Sequence, residues 1–304
     1  PVDLNGDGAM DIVYAGDLKG NIWKFNLLDA DDSKWGVSAW DGIGGICTEL
    51  TSCQPFYAAR DSAGVAQPIS TAPTWVAHPL GGVQLLWGTG RHLDTADSKD
   101  TATQTLYSVW DSTQYAKTGS TWTSKDGSRL AAADGRNRLV HQTMGDFIRY
   151  TNPEATEVVT AFKTSSRNDV KYSRTDTTAP LGWYMDLPTS GERVDNHPFI
   201  FQSNIAVFAS MVPAPTDGFE TCSDPSEGKG SWITLLDPIS GRPSNDIGVI
   251  DGDSAHVVEG VSRMATPTDE ILFLSNDPRY SRSSGLNNLG DDDQPFAGED
   301  DDDW

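Results

Sequence analysis

Asp3-Leu4-Asn5-Gly6-Asp7-Gly8-Ala9-Met10-Asp11-Ile12-Val13-Tyr14-Ala15-Gly16-Asp17-Leu18-Lys19-Gly20-Asn21-Ile22-Trp23-Lys24-Phe25-Asn26-Leu27 is the stretch that decides the reading of this chain. Two segments rich in β-branched and aromatic residues, Asp11–Ala15 and Asn21–Leu27, flank Gly16 to Asn21, whose glycines and Asp/Asn suit a hairpin turn. In the second segment Ile22, Trp23 and Phe25 are interrupted by Lys24 and Asn26, a partial alternation.

Ahead of the hairpin, Asp3, Asn5, Asp7 and Asp11 fall at positions 1, 3, 5 and 9 of a loop. Ala9 at position 7 can offer its backbone carbonyl, and Gly6 and Gly8 allow the positive backbone angles of a tight wrap. A hard Ca²⁺ ion takes six to eight oxygen ligands supplied in this alternating manner. The start matches an EF-hand loop, but position 12 is Tyr14 rather than a bidentate Glu, and a strand follows where a helix should. The expected metal site is therefore a nine-residue calcium loop of Asp3, Asn5, Asp7, Ala9 and Asp11, closed by Asp11. Magnesium suits such a flexible multi-carboxylate cage less well. A second fragment, Asp251-Gly252-Asp253, holds only half of such a loop.

Outward from this region strand signals dominate. Thr74–His78 and Val83–Gly88 flank a Pro-Leu-Gly-Gly turn, Thr105–Asp111 reads as a strand, and Phe199–Phe201 and Ile205–Met211 flank Gln202-Ser203-Asn204. Trp232–Asp237 runs into the turn Pro238-Ile239-Ser240-Gly241, and Glu270–Ser275 is the last clear strand. The elements ending at Asn26, Asp111 and Asp237 each close an aromatic or aliphatic strand on Asp or Asn, a weak repeat that points to propeller blades ahead of a sandwich. Ser112–Ser128 reads as a long loop, and Ser128–Met144 as a short helix or insertion. The fold class expected is all-β: a partial β-propeller of modified seven-bladed type with long loop insertions over residues 1–278, then an acidic, flexible tail over 279–304.

Composition narrows the function. The 304 residues hold 44 acidic and 22 basic side chains, a net charge of −22 and a pI near 4.3. Phosphate contacts need clustered Lys and Arg, so no nucleic-acid partner is expected. No apolar run approaches the ~18 residues of a membrane helix, so no membrane span is expected. The chain starts at Pro1, almost inside the metal loop, with no signal-peptide pattern, which reads as a processed or partial piece of a longer secreted protein. Cys47 and Cys53, six apart, suit a local disulfide in an oxidising compartment; Cys222 is left over, with an upstream partner or as a free thiol.

Other constellations carry less. Asp94, Asp97 and Asp100 after Arg91-His92 read as a solvated loop. No nucleophile elbow or phosphate-binding loop is found, so no catalytic and no cofactor-binding residue is assigned. Trp23, Trp75, Trp87, Trp110, Trp183 and Trp232 sit in strand patterns and read mostly as blade packing rather than a sugar-stacking platform.

From residue 3 onward the order of motifs resembles the PilC/PilY family of type IV pilus tip-associated adhesins with a C-terminal β-propeller. The matching pieces are Asp3 to Phe25, Pro68-Ile69-Ser70-Thr71-Ala72-Pro73, Leu85-Leu86-Trp87-Gly88-Thr89-Gly90-Arg91, Gln104 to Asp111, Gly182 to Arg193, and Cys222 before Gly230-Ser231-Trp232. The resemblance implies a modified seven-bladed propeller in which a strand-connecting loop binds Ca²⁺, here Asp3, Asn5, Asp7, Ala9 and Asp11, with occupancy linked to pilus extension and retraction. It implies a non-enzymatic pilus tip adhesin or assembly factor, extracellular, at the pilus tip or outer-membrane surface of a bacterium. Its partners would be minor pilins of the tip complex and a host or abiotic surface. Two other readings stand beside it: a secreted quinoprotein-like propeller oxidoreductase, and a purely structural surface subunit stapled by calcium.

Overall fold

The computed structural model describes residues 1–4, 6–38, 46–47, 53–119, 121–124, 135–151, 158–202, 204–213, 231–243, 248–250, 257–259 and 263–266. Asn5, Cys222, the Asp251–Asp253 fragment, Glu270–Ser275 and the 279–304 tail lie outside them. Among the described residues there is no α-helix; short 3₁₀ turns interrupt an all-β chain.

Among the described residues three larger open sheets, the second and third interleaved along the chain, take the arrangement of propeller blades, beside two two-stranded ribbons. In the first, Ile12–Gly16 pairs antiparallel with Asn21–Asn26, whose other edge carries Gly36–Val37 and Tyr57–Ala58. In the second the order is Leu139–Gln142, Gly182–Asp186, Thr105–Asp111, Val83–Gly88, Thr74–Ala77, antiparallel except for the first pair. In the third the order is Met144–Thr151, Val158–Ser165, Arg263–Thr266, Ser231–Leu236, Ile205–Met211, Phe199–Phe201, antiparallel throughout.

The segment read as a loop over Ser112–Ser128 contains a small hairpin, Tyr115–Thr118 with Thr121–Ser124. Its Ser/Thr/Lys composition lacks the apolar face that marks a strand, yet a two-stranded ribbon needs only backbone pairing. Within the expected helix or insertion lie a 3₁₀ turn, Gly135–Arg138, and the strand Leu139–Gln142.

The recurrent Asp or Asn at strand ends has a physical cause. Asn26 Oδ1 accepts from the Leu28 N–H (3.0 Å), Asp111 Oδ1 from Thr113 N–H (2.9 Å), and Asp237 Oδ1 from Ile239 N–H (3.0 Å). Each is the same turn, a side chain bonding the backbone two residues on and stopping the strand. Asp17 does this for the first hairpin: its carboxylate accepts from Lys19 N–H, Asn21 N–H, the Asn21 amide and the Trp23 indole.

Two polar latches tie the sheets together. Between the first and second, buried Lys24 meets buried Asp111 while Tyr57 packs against Trp87 and Tyr107. Between the second and third, the turn at Pro238–Gly241 offers its carbonyls to donors around it. Ser108 Oγ (2.7 Å) and Trp183 Nε1 (3.1 Å) donate to Pro238 O, Tyr172 OH to Ile239 O (2.7 Å), and Gln142 Nε2 to Ser240 O (2.8 Å). Gly241 lies flat on the Trp183 ring, where an added Cβ would stand 2.5 Å from Cδ2. The tryptophans follow the packing expectation: Trp87, Trp110 and Trp183 are buried, and Trp23, Trp75 and Trp232 half-buried.

Cys47 and Cys53 form the expected disulfide, with Cα atoms 5.7 Å apart.

Candidate functional site

The loop is a ring closed at its neck. Val2 and Ile12 form an antiparallel bridge, with Val2 N–H donating to Ile12 O (2.7 Å) and Asp11 N–H to Val2 O (2.9 Å). Residues 3–11 are therefore the loop of a hairpin whose second strand opens the first sheet. Gly6 (φ 76°) and Gly8 (φ 87°) take the left-handed backbone that the tight winding requires.

The three described acidic positions take distinct places. Asp3 is wound into the ring, accepting from Gly6 N–H at Oδ1 (2.7 Å) and from Gly8 N–H at Oδ2 (2.8 Å). Asp7 folds back on the loop backbone, Oδ1 accepting from Ala9 N–H (2.8 Å). Asp11 is buried at the neck, Oδ2 accepting from Leu4 N–H (2.8 Å). The donor set is all oxygen and carries three negative charges, which is chemistry that fits a hard divalent cation. Among the described residues no three His, Cys, Asp or Glu side chains stand close enough together to ligate one ion. An ion held here would therefore draw the ring tighter than it stands.

Asp11 also connects the ring to the sheet, since its carbonyl accepts from Leu27 N–H (2.8 Å) at the far end of the hairpin. Whatever fixes Asp11 fixes both ends of Ile12–Asn26.

Directly behind the ring lies a cavity of about 370 Å³, lined by Leu4, Tyr14, Val83, Asp111, Gln114 and Tyr115 among others. Its floor is the latch between the first two sheets. Lys24 Nζ lies 2.5 Å from Asp111 Oδ2, Tyr14 OH donates to the same oxygen (2.6 Å), and Thr113 Oγ1 donates to Oδ1 (2.5 Å). Lys24 also sits over the Tyr115 ring at 5.2 Å. Burial alone would raise the Asp111 carboxyl, but the Lys24 ammonium and the donors from Lys24, Thr113 and Tyr14 hold it below the usual carboxylate range. Burial pushes the Tyr14 hydroxyl well up, with the Asp111 charge adding to it.

The sequence shows Lys24 only as an interruption of a partial alternation and does not reveal this cluster. The strand Asn21–Asn26 alternates cleanly, but Ile22, Lys24 and Asn26 face inward while Trp23 and Phe25 are half-buried. Only the partner strand explains that choice, because Asp111 lies 87 residues on. The recurrent Asp at the end of Thr105–Asp111 was the available signal.

In the acidic group after Arg91, Asp94 and Asp100 are exposed, as expected of a solvated loop, whereas Asp97 departs from that expectation. Asp97 is buried and accepts from Leu93 N–H (2.9 Å), Asp94 N–H (3.3 Å) and Arg91 Nε (2.8 Å); the Leu93 amide foremost holds its carboxyl below the ordinary range. Arg193 fastens the same loop by donating to the carbonyls of Arg91, Asp97 and Asp100. The exposed Asp94 and Asp100 carboxylates also serve the loop's turns, accepting from Ala96 N–H (2.7 Å) and Ala102 N–H (2.9 Å).

The comparisons with known proteins agree with this architecture. A profile of the PilY1 beta-propeller domain matches residues 1–134. The chain is 32% identical over 251 residues to the type IV pilus biogenesis factor PilY1 of Pseudomonas aeruginosa strain PAO1, covering 79% of this chain and 20% of that protein. It is 30% identical over 244 residues to a PilY1 homolog of Xylella fastidiosa strain Temecula1, covering 79% of this chain and 14% of the relative. The crystal structure of the P. aeruginosa PilY1 C-terminal domain superposes with a TM-score of 0.64 at 26% identity, over 89% of this chain and 55% of that one. The chain spans about a fifth of the length of the P. aeruginosa relative.

Proposed function

We propose that this chain, which belongs to the PilC/PilY family through its β-propeller, serves a type IV pilus as a calcium-binding, non-enzymatic tip adhesin and assembly factor. The relatives named as type IV pilus biogenesis factors support the pilus assignment. The observation that carries the calcium reading is the ring closed by Val2 and Ile12, with Asp3 inside it and Asp11 at its neck.

Three carboxylates in one nine-residue ring repel one another, and a bound divalent cation would cancel that repulsion. Asp3, Asn5, Asp7 and Asp11 would supply side-chain oxygens and Ala9 its carbonyl. Asp11 then transmits the change: its carbonyl holds Leu27 and its carboxylate holds Leu4, which walls the cavity above Lys24 and Asp111. Ion binding would thereby order the first hairpin and the surface beside it. Ordering that surface at the tip is how occupancy would bias pilus extension against retraction and support attachment to a host or abiotic surface. Minor pilins are the partners this reading implies, outside the cell at the pilus tip or outer membrane. No described helix is long and apolar enough to cross a membrane.

The test is in the full-length protein on the bacterium. Asp3→Ala with Asp7→Ala should reduce surface attachment and change surface piliation at unchanged protein abundance. Unchanged attachment and piliation with a lowered melting temperature would assign the loop a purely structural role instead.

A further inference from the structure

We propose that the same ring carries a modification site that needs no ligand: succinimide formation at Asp7-Gly8 and Asn5-Gly6, held in check by Asp3. Asn5-Gly6 is the sole Asn-Gly pair in the sequence, and Asp7-Gly8 follows it directly. A glycine has no Cβ to obstruct its own amide nitrogen from closing on the preceding side chain. These dipeptides are therefore where a chain most readily forms the five-membered ring, and asparagine is a recognised labile residue.

The steps balance with water alone. At Asp7 the Gly8 nitrogen bonds to Asp7 Cγ, a carboxyl oxygen leaves as water, and water then reopens the ring at the α-carbonyl. Gly8 is left joined through the β-carboxyl, as isoaspartate. At Asn5 the Gly6 nitrogen bonds to Cγ, the Cγ–Nδ2 bond breaks and ammonia leaves; water opens that ring to aspartate or isoaspartate. Nothing is oxidised or reduced.

The geometry gives Asp3 control of both. The two nucleophilic nitrogens are those of Gly6 and Gly8, and both N–H groups are donated to this one carboxylate, at 2.7 and 2.8 Å. Ring closure needs each nitrogen to lose that proton and turn toward the side chain, so both bonds must break first. Asp7 is already folded over its own peptide by the bond from Ala9 N–H. Beyond the adjoining residues, no described atom lies within 4 Å of where a Cβ of Gly6 or Gly8 would stand, so tertiary packing does not restrain these residues. An isoaspartate at position 7 adds a backbone carbon to a ring of fixed span, which shifts every donor after it. The loop thus holds a one-way chemical clock whose rate Asp3 sets.

The experiment follows the intact protein in chelator at mildly acidic pH, which favours ring closure at Asp, and at mildly alkaline pH, which favours it at Asn. Peptide mass mapping and isoaspartyl methyltransferase labelling read the products. Both sites should convert in the wild type. Asp3→Ala should convert about fivefold to tenfold faster, as expected for losing one hydrogen bond on the path to reaction. Asp3→Asn, which keeps one accepting oxygen, should fall between. The Asp-Gly pairs beginning at Asp41, Asp126, Asp134, Asp217 and Asp251 serve as internal comparators and should keep their rates. No isoaspartate at position 7 in any variant, or equal or slower conversion in Asp3→Ala, would overturn the proposal. A general rise at all the Asp-Gly pairs would overturn it too, by tracing the effect to unfolding.

Discussion

Lys24 Nζ stands 2.5 Å from Asp111 Oδ2, with both side chains almost wholly removed from solvent, and so joins a strand of the first sheet to a central strand of the second. Removing one partner of a buried pair leaves an uncompensated charge and costs about 3–5 kcal/mol. Lys24→Met should therefore lower unfolding free energy by that order in a denaturant titration. Adding Asp111→Asn should recover a large part of the loss, because the amide carries no charge, its Oδ1 can still accept from Thr113 N–H, and its Nδ2, standing in place of Oδ2, can donate to the Tyr14 hydroxyl oxygen. Additive losses in the double variant would contradict the account.

Gly241 rests against the Trp183 ring in a left-handed turn (φ 68°). Gly241→Ala needs both a strained backbone and a displaced indole, and should cost about 2–3 kcal/mol. Trp183 fluorescence should shift as the ring is pushed from its place. Ser108→Ala, which removes one donor to the same turn, should cost only about 1 kcal/mol; equal costs would show that the turn is not clamped by packing.

His78 is buried against Trp110 (centroids 4.3 Å apart), and its Nδ1 accepts from Leu80 N–H (3.1 Å). Burial, helped by the charge of Arg174, lowers its pKa to about 4. The unfolded chain takes up this proton near pH 6.5 and the folded one only near 4. Stability from His78 is therefore complete above about pH 6.5 and falls by up to about 3 kcal/mol as pH drops toward 4. His78→Gln should flatten this part of the stability profile; an unchanged slope would contradict it.

The Cys47–Cys53 disulfide closes a short loop, so its reduction should cost only about 2 kcal/mol. Melting with and without reductant measures this, and Cys47→Ser with Cys53→Ser should abolish the difference.

What the sequence made legible was local. The Asp and Asn residues that end strands at Asn26, Asp111 and Asp237 are visible as a repeat because each acts on the backbone two residues away. The Asp17 hairpin and the ring glycines Gly6 and Gly8 are legible for the same reason. Lys24 was not: its inward face is set by Asp111 across a blade interface, and alternation alone cannot tell which face of a strand is buried. Asp97 was misread as solvated because Arg193, which fastens its loop, lies 96 residues away. The Tyr115–Ser124 hairpin escaped because its side chains carry no apolar pattern.

The central claim, that Asp3–Asp11 is a calcium loop, is tested most directly by calorimetric titration of the chelated protein with Ca²⁺. One site saturating at or below millimolar calcium is predicted, weakened severely by Asp3→Ala with Asp7→Ala and accompanied by a higher melting temperature on binding. Absence of binding at millimolar calcium, or binding that survives both substitutions, would contradict it.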